Sequence, residues 1–168
     1  MYEELDLYLG VKVVSLKPMN RADYNTYRGW ALPDNEDGED EGYLVEYKEG
    51  GEPNHPEHLG YINWAPKEQA DKVYRMTEGM PFGMAIEMLK KGYKVARKGW
   101  NGKGMWLLRV EAQEGIHPVW LTPYSHAGLM ETISIDAHID MFTAQGTMQP
   151  GWLASQADML SDDWELII

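Results

Sequence analysis

Six of the seven basic residues between positions 76 and 168 fall in one stretch: Lys90, Lys91, Lys94, Arg97, Lys98 and Lys103. No acidic residue interrupts them, although the chain carries a net charge of −12. Lys90 and Lys91 sit where a helix would end, and cations are favourable there. Arg97, Lys98 and Lys103 have no such reason and form a local positive island around Trp100. An indole face can stack a base. Gly99, Gly102 and Gly104 let backbone approach a ligand closely and leave amide N–H groups for phosphate oxygens. Asn101 offers a donor and an acceptor to a base or ribose edge. These parts suit the phosphate and base of an anionic nucleotide-type ligand. A second reading fits the same residues: a hairpin with solvated lysines and a core tryptophan.

A second constellation is Pro150-Gly-Trp-Leu-Ala-Ser155-Gln156-Ala-Asp158-Met159-Leu160. It gathers a tryptophan, a hydroxyl, an amide and a carboxylate, which can read ribose hydroxyls. Ser155 followed by Asp158 also matches a capping box in which Asp replaces Glu or Gln.

Arrangements for catalysis are sparse. Glu114 with His117, His126, and His138 with Asp140 contain acids and bases, but none sits in a pattern that specifies a reaction. No G-x-S-x-G, H-E-x-x-H or Walker loop occurs. Gly99-Trp-Asn-Gly102 is not a dinucleotide fingerprint, because no helix is expected after it. The acidic stretch Pro33–Gly42 lacks EF-hand order and reads as a solvated loop. His55, Glu57 and His58 could ligate a metal, yet their proline-rich setting reads as an exposed turn. No metal and no cofactor is expected.

Composition narrows the classes. With no cysteine, disulfides, thiolate zinc sites and thiol nucleophiles are excluded. Residues 1–75 carry 16 acidic and 8 basic side chains. The net charge of −12 for the whole chain argues against a nucleic-acid polymer or an anionic membrane as partner. No apolar run reaches the length of a membrane span. The N-terminus, Met1-Tyr-Glu-Glu-Leu-Asp6, lacks the basic start and apolar stretch of a signal peptide, so a cytoplasmic protein is expected.

Two segments must position these residues. The first reads as a strand over Leu9–Leu16, a helix from Asn20 to Tyr27 closed by Gly29, a strand at Tyr43–Tyr47, a Gly50-Gly51 turn, a return strand at Tyr61–Trp64 and a helix from Lys67 to Tyr74. Met76–Gly79 reads as a linker. In the second, Phe82, Ala85, Ile86 and Leu89 recur at helical spacing, with Gly92 as the cap. Strands follow at Lys94–Arg97, Met105–Val110, His117–Leu121, Ile133–Phe142 and Trp164–Ile168, with Trp152–Leu160 irregular or a short helix. Phe82, Ile86, Leu89, Leu153 and Trp164 are expected in the core. The fold class is α+β: a small antiparallel sheet packed with one main amphipathic helix in a C-terminal domain (residues 80–168), and a small α+β domain over residues 1–75.

The run from Phe82 to Trp106, the run from Pro150 to Leu160, and Asp163-Trp-Glu165 together resemble the Thoeris anti-defense 2 family of phage proteins. The resemblance covers about half the chain, from Met80 onward. It implies a sponge that binds and sequesters a cyclic nucleotide immune signal without cleaving it: a cyclic ADP-ribose isomer, in some members also cyclic dinucleotides. It further implies no enzymatic activity, a homo-oligomer (tetramer or dimer) with the pocket between protomers, and residence in the cytoplasm of an infected bacterial cell. Carried over by motif, ligand contact falls on Arg97, Trp100, Asn101, Lys103, Ser155, Gln156, Asp158 and Met159. The chain departs from short family members by about 80 residues in front, which resemble a small domain of other phage proteins. The competing classes are a nucleotide phosphodiesterase or other hydrolase, and a phage structural or adaptor protein.

Overall fold

The structure is a computed structural model, described here for residues 10–117, 122–129 and 131–168. The chain divides into two compact units, Met1–Arg75 and Met76–Ile168.

In the first unit, strands β1 (Val14–Pro18), β2 (Gly42–Tyr47) and β3 (Ile62–Pro66) form an antiparallel sheet in that order, with helices α1 (Arg21–Arg28) and α2 (Lys67–Val73). Asn20 caps α1: its side chain accepts the Asp23 N–H at 2.7 Å, satisfying a donor that the first turn cannot pair. Gly29 ends the helix at φ 69°, a conformation that suits glycine. Tyr24 of α1 is buried against Leu44 and Ile62, with Met19, Tyr27 and Trp64 packed around them. The strand expected at Leu9–Leu16 lies further along, because its register is set by β2: Val14 faces Tyr47 and Pro18 faces Tyr43. Pro18 is tolerated there because β1 is an edge strand.

The second unit is built on a six-stranded antiparallel sheet. In chain order its strands are β4 (Glu78–Met80), β5 (Lys94–Arg97), β6 (Trp106–Val110), β9 (His138–Phe142), β10 (Met148–Gln149) and β11 (Trp164–Ile167). Their spatial order is β10-β9-β6-β5-β11-β4. A separate pair joins β7 (Gln113–Ile116) and β8 (Ile133–Ile135). Helix α3 (Phe82–Lys90) packs on β5, β6 and β11 through Ala85, Met88 and Leu89. Helices α4 (Thr122–His126) and α5 (Gln156–Met159) are short.

Several expectations are corrected. The supposed linker, Met76–Gly79, runs into β4, an edge strand whose partner, β11, lies at the far end of the chain. The single strand expected over Ile133–Phe142 breaks at Asp136-Ala137 into β8 and β9, which belong to different sheets. The alternation of β9 is also overridden, because Asp140 is buried beside Met141 and accepts the Gly151 N–H at 3.1 Å. Leu153 is 88% exposed, not core. Leu89 and Trp164 are fully buried, while Phe82 and Ile86 are half-buried. Of the strand expected at His117–Leu121, His117 is not in a strand, and residues 118–121 lie outside the described residues.

Candidate ligand-binding site

Arg97 ends β5, the strand that runs beside β11 with Arg97 opposite Trp164. Its guanidinium reaches two carboxylates. Nε donates to Asp163 Oδ1 at 2.7 Å and Nη2 to Asp163 Oδ2 at 3.3 Å, a bidentate fork. Nη1 donates to Asp158 Oδ1 at 2.7 Å. Each carboxylate collects further donors. Asp158 Oδ1 also accepts the Trp100 indole N–H at 3.0 Å, and Oδ2 accepts the Ser155 N–H at 3.0 Å and hydroxyl at 2.7 Å. Asp163 also accepts the Gly99 N–H at 2.8 Å and the Ser161 hydroxyl.

This hub ties β5, the loop 98–104, α5 and the approach to β11 into one body. Gly99 is required in it: a Cβ there would stand 2.5 Å from Asp163 Oδ2. Gly102 is pressed in the same way against Met105 and Ala144. Ser155 and Asp158 form the complete capping box, since the Ser155 hydroxyl also accepts the Asp158 N–H at 3.1 Å.

The electrostatics follow from these contacts. Burial pushes the Asp158 carboxyl up, but the hydrogen bonds from Ser155, Arg97 and Trp100 overcome it and hold the group at about 2. Arg97, ahead of the opposing effect of burial and with help from Ser161 and Gly99, brings Asp163 to about 2. Asp163 and then Asp158 raise Arg97 in turn. One cation faces two anions, so this cluster is net negative.

The positive island is therefore smaller in space than along the chain. Besides Arg97, Lys90 pairs with Glu87 at 2.7 Å and Lys98 with Glu78 at 2.7 Å. Lys94 lies over the Trp106 ring at 5.5 Å. Lys103 is exposed and has no ion-pair partner among the described residues.

Trp100 does not stand alone. Its ring centroid lies 5.5 Å from that of Trp164 and 6.2 Å from that of Trp152, both edge-to-face. Phe82 completes the cluster at 5.5 Å from Trp164. The Trp164 indole N–H donates to the Asp158 carbonyl at 3.0 Å. Arg97, Trp100, Ser155 and Asp158 are thus brought together through Asp158. Asn101, Lys103, Gln156 and Met159 are exposed on the loop and helix that the hub supports. Sequence reasoning left Asp163 and Ser161 without a role at the site, and placed Trp152 in the second constellation without its contact to Trp100. The signal for Asp163 was its place in the Asp163-Trp-Glu165 motif.

Elsewhere, His138 lies 3.5 Å from Asp140 and 2.8 Å from the Asp136 carbonyl. In the acidic loop, Glu36 pairs with Arg21, and Glu41 pairs with Lys67 at 2.9 Å. No group of three His, Asp or Glu among the described residues is placed to hold a metal ion. Three clefts of about 310, 450 and 470 Å³ lie in the first unit and one of about 220 Å³ in the second. None of these four is lined by Arg97–Lys103 or Ser155–Met159.

A model of the Thoeris anti-defense 2-like domain matches residues 80–167, the span that contains the whole hub. The chain belongs to that family. A protein of Bacillus phage SP01 named Thoeris anti-defense 2 is 32% identical over 94 residues, which is 55% of this chain and 99% of the relative. Membership supports a phage anti-defence role, and the residues before the matched domain lie outside what the family describes. Among the described residues, no helix is long and apolar enough to cross a membrane.

Proposed function

We propose that the second unit of this Thoeris anti-defense 2-like protein binds a cyclic nucleotide immune signal, a cyclic ADP-ribose isomer or a cyclic dinucleotide, and sequesters it intact. The observation that carries this reading is the clamp at Asp158 and Asp163. It fixes a glycine-rich basic loop and α5 as one pre-organised body, so Asn101, Lys103, Gln156 and Met159 reach a ligand from rigid supports. The same clamp disfavours chemistry. A general base works best with a pKa near the working pH, whereas both carboxylates are held at about 2 with their oxygens filled.

The ligand pocket is shared between copies of the chain. Leu153, Met159 and Leu160 are 88%, 46% and 82% exposed on either side of Ser155 and Gln156. Apolar groups gathered beside a polar site are a surface that association would cover. A tetramer or dimer would place a second copy there and supply the wall that one chain lacks.

Calorimetry with a cyclic ADP-ribose isomer and with a cyclic dinucleotide, run alongside light scattering, tests this. Binding of one of them by an oligomer, weakened by Lys103→Ala, is expected. An oligomer that binds neither would instead favour a structural or adaptor role.

A further inference from the structure

The pairing of β9 with the chain beyond β10 slips by one residue, and the slip decides where Trp152 goes. The Thr143 N–H donates to the Thr147 carbonyl at 2.8 Å, Phe142 faces Met148, and Met141 faces Gln149. Continued in step, Ile139 would face Gly151 and Trp152 would face His138. Instead the Trp152 N–H donates to the Ile139 carbonyl at 2.7 Å. Pro150 and Gly151 together therefore oppose the single residue Asp140, which is a β-bulge. Gly151 takes it up at φ 75°, a conformation that suits glycine.

Opposed residues of an antiparallel pair share a face, and a shift of one residue moves a side chain to the other face. Met141 shares its face with Leu107, and Leu107 with Val95, both fully buried. Ile139 lies two residues along β9 on that same face, whereas His138 lies on the opposite one. By facing Ile139 and not His138, Trp152 is turned inward. Its ring is found there, with centroid distances of 6.2 Å to Trp100, 6.2 Å to Trp164 and 6.5 Å to Phe82.

A bulge leaves an N–H out of the ladder, and here it is that of Gly151. Asp140 Oδ1 accepts it at 3.1 Å, and His138 Nε2 lies 3.5 Å from the same oxygen. Asp140 is buried in a strand between Ile139 and Met141, a place where a carboxylate is costly unless it is hydrogen-bonded. The hydrogen bond to an ionised acceptor is stronger than one between neutral groups, so the residue that the bulge faces is also the one that holds it.

We propose that Asp140 is a positioning residue of the ligand site: by holding the bulge at Gly151 it keeps Trp152 turned toward Trp100. The inference rests on the nucleotide-binding reading of this unit and extends it to a strand outside the hub. Trp100 and Trp152 are both half-buried, so the pair keeps indole surface open beside the loop 98–104. Trp152 also leads directly into Ser155, so the bulge sets the path of the chain into α5.

Nuclear magnetic resonance on the full chain reads the ring contacts without ligand, and calorimetry with a cyclic ADP-ribose isomer and with a cyclic dinucleotide reads the affinity. In the unaltered chain the Gly151 amide is expected to exchange slowly, as that of Trp152 does. In Asp140→Ala its exchange rises several-fold, and the Trp152 ring loses its nuclear Overhauser contacts to Trp100. Affinity then falls about tenfold at an unchanged folded fraction, the size of one charge-assisted hydrogen bond. Asp140→Asn, whose amide oxygen still accepts the Gly151 N–H, keeps the ring contacts and restores most of the affinity. A Gly151 amide that exchanges freely in the unaltered chain overturns the inference without any variant. Ring contacts that survive in Asp140→Ala overturn it too, as does an affinity that ignores their loss. An unaltered chain that binds neither nucleotide overturns the binding reading, and the inference with it.

Discussion

Arg97, at the end of β5, and Asp163, just before β11, meet as a two-bonded fork, with 2.7 Å at Nε and 3.3 Å at Nη2. The fork orients the guanidinium so that its remaining arm reaches Asp158, and through Asp158 it governs Trp100 and Ser155. Removing Arg97 leaves two carboxylates facing each other without their cation. Arg97→Ala is expected to cost about 2–3 kcal/mol, because breaking one partner of a largely buried ion pair leaves the other uncompensated. Arg97→Lys keeps the charge but loses the fork and is expected to lose about half as much. Urea unfolding of the two variants checks this.

Acid should undo the same hub. Asp158 and Asp163 lie at about 2 in the folded chain, below their ordinary 3.8. A depressed folded value means that stability is present above the unfolded value and lost as pH falls through the folded one. The second unit should therefore hold a level contribution from these groups above about pH 4 and lose on the order of 2 kcal/mol between there and pH 2. Thermal melts against pH measure this. Arg97→Ala should flatten that acid limb.

Gly99→Ala tests the clamp from the backbone side. The added methyl would stand 2.5 Å from Asp163 Oδ2, so strand or carboxylate must shift. A loss of about 1–3 kcal/mol is expected, together with weaker ligand binding, since loop 98–104 loses its anchor. Gly83→Ala, where a Cβ would meet nothing within 4 Å, is the neutral control.

Trp100 serves packing as well as any ligand. Trp100→Ala removes a ring from an edge-to-face cluster and one donor from Asp158, and is expected to destabilise the unit by about 3 kcal/mol. Trp100→Phe keeps most of the ring and loses the donor, so about 1 kcal/mol is expected. Binding measured on the Phe variant then reports on the indole without the confusion of unfolding.

Much of the fold was legible because it is locally encoded. Asn20 and Gly29 marked both ends of α1, Ser155 and Asp158 marked the start of α5, and Lys94–Arg97 read as the strand it is. What was not legible depends on distant partners. Glu78–Met80 is a strand only because β11 pairs with it, and nothing within three residues announces that. Leu153 looks like core by type, and no local pattern says that it faces out. At the site, the residue types around Trp100 were visible, but the state of Arg97 was not, since its carboxylates lie 61 and 66 positions away. A cluster that reads as a positive island along the chain is, in space, a cation between two anions.

The central claim is that ligand is held and not consumed. The direct measurement is to load the purified protein with a cyclic ADP-ribose isomer, remove unbound nucleotide, denature the protein and weigh what is released by mass spectrometry. Sequestration predicts the intact cyclic molecule, in an amount proportional to protein and unchanged by longer incubation. A linear or hydrolysed product that accumulates with time would contradict it and make this chain an enzyme.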